Sequence, residues 1–339
     1  MPKALALLAL STTVLTAQEK IIFDTDSGFF NDDGVALVML GRSPQQVKLL
    51  GVTTVPGNVW ARQGAFYMLH NLALAGRPEV PVYVGAEAPL MNSAARAEEF
   101  AQKWGLEYRG ALAMPPEEIK PPHGGKFAHR RPERKGAVEF IIETVEANPG
   151  EVTIVAVGPM TNLALALDHR PEIAGKIKRL VFMGGSARAG GNVTKQAEFN
   201  FWFDPEAART VLRSAIKEKV MFGLDICNRA VLTKAHFDQI VKVKTPVTQL
   251  YREDFGNGYP GFLKNPQATG FLWDELAAAW LIDPAFVTRH ETLRLEVDTT
   301  FGAGYGAVRE AADGAPVQVM LDLDFAKVFA IYRTKLTQK

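Results

Sequence analysis

The chain has 339 residues, 47% apolar and 22% charged, enough to bury a large core as one α/β domain or two smaller ones, so disorder is excluded as the default. A formal charge of +1 with no long basic run gives no footprint for nucleic acid and no polybasic membrane signal, which points to a small-molecule partner. A single cysteine, Cys227, excludes an internal disulfide framework.

Lys3 precedes ALALLALSTTVLTA, an apolar stretch too short to span a membrane but of the length of a signal-peptide core. Residues 1–17 read as a removable signal cut after Ala17, so the mature domain, 18–339, is expected in the periplasm or outside the cell. EKIIFD then reads as a buried strand, GVALVML as the start of a helix, VKLLGVTTV as a second strand and ARQGAFYMLHNLALAG as an amphipathic helix. Residues 86–135, with prolines clustered at 115–122, read as an irregular lid or surface excursion. Beyond it RKGAVEFIIETVEANPG, MTNLALALDH and DPEAARTVLRSAI carry helical spacing, while EVTIVAV, IKRLVFM and EKVMFGL carry the runs of buried strands. Past residue 290 the patterns are strand-like again. This alternation predicts a single α/β domain with a mostly parallel, Rossmann-like central sheet flanked by helices.

In such sheets ligands bind beyond the carboxyl ends of the strands. The turns TTVPGN and AVGPMTN, the loop GGSARAGGN and a run of aspartates each follow a predicted strand, so all face one crevice. The aspartates are the most informative feature: Asp24, Asp26, Asp32 and Asp33 lie within ten residues, where one strand ends and a helix begins. Single aspartates cap helices or bond turns. Four close together repel one another unless a cation holds them, and an all-oxygen set suits a hard divalent ion better than zinc. The spacing is not that of an EF-hand.

DTDSGFFNDDGVAL resembles the N-terminal signature of the inosine-uridine nucleoside hydrolase family in a longer-loop form. Further matches follow in the family's order: TTVPGN ending at Asn58, AVGPMTNLALAL around Val157, FMGGSARAGGNVTKQAEFNFWFDPEAA from Phe182 to Ala208, and LWDELAAAW around Asp274. The resemblance covers nearly all of the mature chain. It implies a calcium ion held by the carboxylates of Asp26, Asp33 and Asp274 and by the backbone carbonyl of Val157. It also implies Asp26 as general base, Asp32 on the ribose 2'-hydroxyl, and Asn58, Asn192, Glu198, Phe199 and Asn200 around the sugar, with Asp24 supporting from behind. The implied reaction is hydrolysis of a ribonucleoside to ribose and free base by a dimer or tetramer, with no nucleic-acid or membrane partner. Hydrolysis of another N-riboside, or nucleoside binding without turnover, would use the same residues.

Many members carry histidine before the last metal-binding aspartate, whereas this chain has Trp273. That resembles the purine-preferring branch, in which an indole stacks on the base. Trp104, His123, His129, Tyr251, Tyr259 and Phe262 are further candidates for the base pocket, and Phe29 and Phe30 for its wall. The glycines of GGSARAGGN lack the spacings of phosphate-binding loops, and no nucleophile-elbow motif is present.

Overall fold

A computed structural model describes residues 18–116, 119–121 and 126–339. The expected signal, 1–17, and His123 lie outside the described residues. The first half of the chain forms strands β1 (Glu19–Thr25), β2 (Val47–Thr54), β3 (Val82–Val84) and β4 (Val152–Ala156). Between and after them come helices α1 (Asp32–Gly41), α2 (Ala61–Leu74), α3 (Ala94–Trp104), α4 (Ala137–Ala147) and α5 (Thr161–His169). The second half adds β5 (Arg179–Met183), α6 (Phe199–Phe203), α7 (Pro205–Arg213), β6 (Lys219–Phe222) and α8 (Leu224–Cys227). A small hairpin of β7 (Val231–Thr233) and β8 (Thr269–Phe271) brackets α9 (Lys234–Val241) and α10 (Pro246–Asn257). The chain closes with α11 (Asp274–Ile282), β9 (Val287–Val297), β10 (Val308–Glu310), β11 (Ala315–Leu323) and α12 (Phe325–Thr337).

Nine strands form one sheet in the order β10-β9-β11-β6-β5-β4-β1-β2-β3, parallel from β3 through β11, with β9 antiparallel between β11 and β10. The mostly parallel α/β sheet expected from the sequence is therefore present. The central strand β1 is buried on both faces, as parallel strands are: Ile21 and Phe23 join the core under α1, α2, α11 and α12, and Ile22 joins the core under α4, α5 and α7. Removing each such side chain from water stabilises the fold by roughly 1.5–3 kcal/mol.

The chain winds from β1 to β2 and β3 on one side, then crosses back to lay β4 on the other. The gap between β1 and β4 is thus a topological switch point, where open α/β sheets leave a crevice. Register aligns Asp24 with Thr53 of β2 and Ala156 of β4, so Asp26 and Val157 emerge side by side at the carboxyl ends.

Two expectations change. The excursion at 86–135 contains α3, an 11-residue helix of mainly polar and small residues that buries only Ala97 and Phe100. The strand-like region after 290 ends in the 13-residue α12, which packs Val328, Phe329, Tyr332 and Leu336 inward. Among the described residues, no helix is long and apolar enough to cross a membrane.

Candidate active site

A cavity of about 750 Å³ opens at the switch point, within the roughly 300–1,000 Å³ range of small-molecule sites. Of the eleven site residues named from the sequence, ten line it: Asp26, Asp32, Asn58, Val157, Asn192, Glu198, Phe199, Asn200, Trp273 and Asp274. Asp33 lies just beneath, fully buried.

Two helix starts aim carboxylates at the same point. Asp32 and Asp33 occupy the first turn of α1, and Asp274 and Glu275 the first turn of α11, where the helix dipole favours negative charge. Asp32, Asp33 and Asp274 each offer a carboxylate oxygen within 4.8 Å of the others. Asp26 stands beside that trio, within the influence of the Asp33 charge, and its Oδ2 accepts the backbone N–H of Asn58 at 2.7 Å. Gly57 makes that approach possible, because a Cβ there would lie 2.0 Å from Asp26 Oδ2. Asp33 accepts from the Thr25 hydroxyl, from Asn31 Nδ2 at 3.0 Å and from Asn58 Nδ2 at 3.5 Å.

The charges within the cluster are mutually unfavourable. Burial, then the charge of Asp33, pushes Asp26 well above the usual carboxylate range. Burial followed by Asp33 and Glu275 does the same to Asp32, and burial followed by Asp32 and Asp33 to Asp274. Asp33 itself is pushed up to about 6 by burial, against the opposing bonds from Thr25 and Asn31. Among the described residues lining the cavity there is no Lys, Arg or His. A buried all-carboxylate cluster with no protein counter-charge is the donor set of a hard divalent cation, and the residues present fit one.

The remaining predicted residues have definite local roles. The Val157 carbonyl accepts from Asn200 Nδ2 at 2.9 Å, which leaves its second lone pair free. Asn200 Nδ2 also reaches the Met183 carbonyl at 3.2 Å. Glu198 caps α6: Oε1 accepts the N–H of Asn200 at 2.8 Å, and Oε2 accepts those of Gly185 at 2.7 Å and Phe201 at 3.1 Å. Asn192 Oδ1 holds the Phe199 N–H at 2.9 Å. Asp24 faces away from the cavity and accepts from Thr53 Oγ1 at 2.5 Å and Asn162 Nδ2 at 2.7 Å, tying three segments together behind Asp26.

Trp273, at the entrance to α11, stacks near-parallel on Tyr259 at 5.7 Å and 12°, and on Phe271 at 6.1 Å and 29°. These rings and Phe29, Phe30 and Phe255 form the apolar end of the cavity. Other base-pocket candidates fall elsewhere. Tyr251 and Phe262 are buried in the core, Trp104 packs on Phe100 and Phe301, and His129 is an exposed residue off the cavity. The sequence reading missed Glu107, Tyr108, Asn228 and Phe271, which line the cavity, and Glu275, whose buried Oε2 accepts the Trp273 N–H at 2.9 Å. Glu275 sits inside the matched motif WDEL, so its charge was visible there; Glu107 and Tyr108 belong to no motif.

An acidic crevice at the carboxyl edge of a parallel sheet, lined by both carboxylates and aromatic rings, has the form of a small-molecule enzyme site. The sequence-family model described as inosine-uridine preferring nucleoside hydrolase matches residues 21–330, and the chain belongs to that family. The pyrimidine-specific ribonucleoside hydrolase RihB of Escherichia coli (strain SE11) is 34% identical over 292 residues, 85% of this chain and 86% of that protein. Uridine nucleosidase 1 of Arabidopsis thaliana is 38% identical over 220 residues, 65% of this chain and 60% of that protein. Among solved structures, a purine-preferring ribonucleoside hydrolase from Gardnerella vaginalis superposes with a TM-score of 0.74 at 28% identity, covering 94% of this chain and 98% of that one. The plant nucleoside hydrolase PpNRh1 superposes with a TM-score of 0.78 at 25% identity, covering 95% and 99%.

Proposed function

We propose that this protein hydrolyses the N-glycosidic bond of ribonucleosides, purine nucleosides in preference, with calcium held by the carboxylate cluster. The observation that carries this reading is the set of Asp32, Asp33 and Asp274 oxygens within 4.8 Å of one another, in a cavity whose described lining residues include no basic side chain. Asp33 and Asp274, with Asp26 and the Val157 carbonyl, are the ligands assigned, and Asp32 turns to the sugar. Calcium, when bound, supplies a Lewis-acidic centre that makes water more acidic and orients the sugar diol.

The chain's own groups do the rest. Asp26 takes the proton of the attacking water, its carboxylate held in place by the Asn58 N–H and its basicity limited by the ion it would share. Asp32 accepts from the 2'-hydroxyl, and Asn58 and Asn192 bind the remaining sugar hydroxyls. As the glycosidic bond opens, positive charge develops on the sugar ring, and the surrounding carboxylates stabilise it. Phosphate groups gain nothing from this lining. Purine preference rests on Trp273, whose indole presents a large π surface to the leaving base.

The test is a panel of inosine, adenosine, guanosine, uridine and cytidine, with reducing sugar followed before and after chelation and after calcium is restored. Expected are release of ribose, faster from purine nucleosides, loss on chelation and recovery with calcium. Deoxynucleosides should be poorer substrates by roughly 5- to 150-fold, because a buried acceptor left without its hydroxyl costs about 1–3 kcal/mol. Tight nucleoside binding without ribose release, or equal turnover of ribo- and 2'-deoxyribonucleosides, contradicts the reading.

A further inference from the structure

The segment after α3 is not part of the sheet, yet it is fastened to both turns that carry the sugar-side residues. The Glu107 N–H donates to the Val193 carbonyl at 3.1 Å, next to Asn192, and the Ala111 N–H donates to the Gly57 carbonyl at 2.7 Å, next to Asn58. Trp60 Nε1 donates to the Met114 carbonyl at 2.9 Å and anchors the far end. The strap is pressed against the site: Gly110 has φ +53°, and a Cβ there would lie 2.1 Å from the Gly57 carbonyl oxygen and 2.8 Å from Phe199 Cζ. Only glycine fits that position.

Between the first two anchors stands Tyr108. Its ring packs on Phe199 with centroids 5.1 Å apart and lines the cavity, yet 44% of the residue is exposed. Its hydroxyl has no hydrogen-bond partner among the described residues. Burial, followed by the charges of Asp26, Asp32 and Asp33, pushes the phenol up to about 12, so the hydroxyl lies in the field of the carboxylate cluster and stays a proton donor. The aromatic slot of Tyr259, Phe271 and Trp273 is built from a different part of the chain, the segment that leads into α11.

We propose that Tyr108 is a sugar-selecting residue: its ring covers the face of the ribose, its hydroxyl donates to a ribose oxygen, and it governs recognition of the sugar and not of the base. This rests on the nucleoside hydrolase reading. The strap thereby completes a sugar site that the sheet alone leaves open on one side, with Phe199 and Tyr108 forming one aromatic wall across from the carboxylates.

The experiment titrates wild-type protein, Y108F and Y108A with D-ribose in calcium by calorimetry, with circular dichroism to verify the fold. The same proteins are assayed on inosine, adenosine and uridine. Y108A should weaken ribose binding about tenfold, and Y108F, which keeps the ring, by less. The fall in kcat/KM should be the same factor for all three bases. Unchanged ribose affinity in Y108A, failure of the wild type to bind ribose, or a kcat/KM loss differing more than about fivefold between purine and pyrimidine overturns the proposal. Failure of the hydrolase reading is distinct: the wild type then binds ribose, and Y108A still weakens that binding, but no nucleoside is cleaved.

Discussion

Asp24→Asn should stabilise the metal-free protein at neutral and alkaline pH. Asp24 is fully buried; burial pushes its carboxyl up to about 7 even though Thr53 and Asn162 both donate to it. Its second oxygen, Oδ2, is buried with no partner. A carboxyl with a raised pKa favours folding in its protonated form. Its contribution is therefore complete below the unfolded-state value of 3.8 and is lost as pH rises towards 7. At about 1.4 kcal/mol for each pH unit the whole loss is about 4 kcal/mol, of which about 3 kcal/mol falls between pH 5 and 8. Asparagine keeps the acceptor for Thr53 and Asn162 and is neutral at every pH, so it mimics the protonated acid. Urea unfolding in chelator should show the variant about 1 kcal/mol more stable than wild type at pH 5 and about 4 kcal/mol more stable at pH 8. Other carboxylates titrate in both proteins, including Glu296, which burial pushes up but Arg213 and Arg209 pull down to about 2. The difference between wild type and variant isolates Asp24. Parallel pH profiles for the two proteins would refute the reasoning.

Three further outcomes are expected. Trp273→Ala should lower kcat/KM on inosine and adenosine about tenfold, the scale of a lost aromatic stack, while changing uridine by much less; an equal loss on both classes gives Trp273 only a packing role. Glu198→Ala removes two backbone caps from α6 and the acceptor of the Gly185 N–H, so it should cost about 1–3 kcal/mol in unfolding free energy as well as activity. A variant as stable as wild type assigns Glu198 to the substrate alone. Gly57→Ala drives a Cβ into Asp26, and should cost about 1–3 kcal/mol and weaken calcium binding measured by titration; unaltered calcium affinity contradicts the tight seat given to Asp26.

The central fold was legible because its signals are local. IIF followed by DTD marks a buried strand ending in polar side chains, and Asp32 and Asp33 mark a helix start, so the crevice followed from strand order and the rule that ligands sit at carboxyl ends. The helical spacing of Val328, Phe329, Tyr332 and Leu336 was equally readable, but it follows directly on the strands at 287–323 and was absorbed into them. Other features depend on tertiary contacts that no local pattern carries. Glu198 reads as a sugar ligand in AEFNFWF, yet one of its oxygens is held by the N–H of Gly185, 13 residues earlier, across a loop. Tyr108 has no motif around it and reaches the cavity only because Gly57 and Val193 fasten its neighbours. Trp273 was singled out by its place before Asp274, while its partner Tyr259 comes from a turn 14 residues away.

The most direct test compares release of ribose and free base from inosine by the wild-type protein and by Asp26→Asn, both with calcium. The account predicts one ribose per base from the wild type and a rate lower by at least about 10²–10⁴ in the variant, the usual worth of a general base, with the fold retained. A variant that keeps more than about a tenth of the wild-type rate, or a wild type that binds inosine and releases neither product, would contradict it.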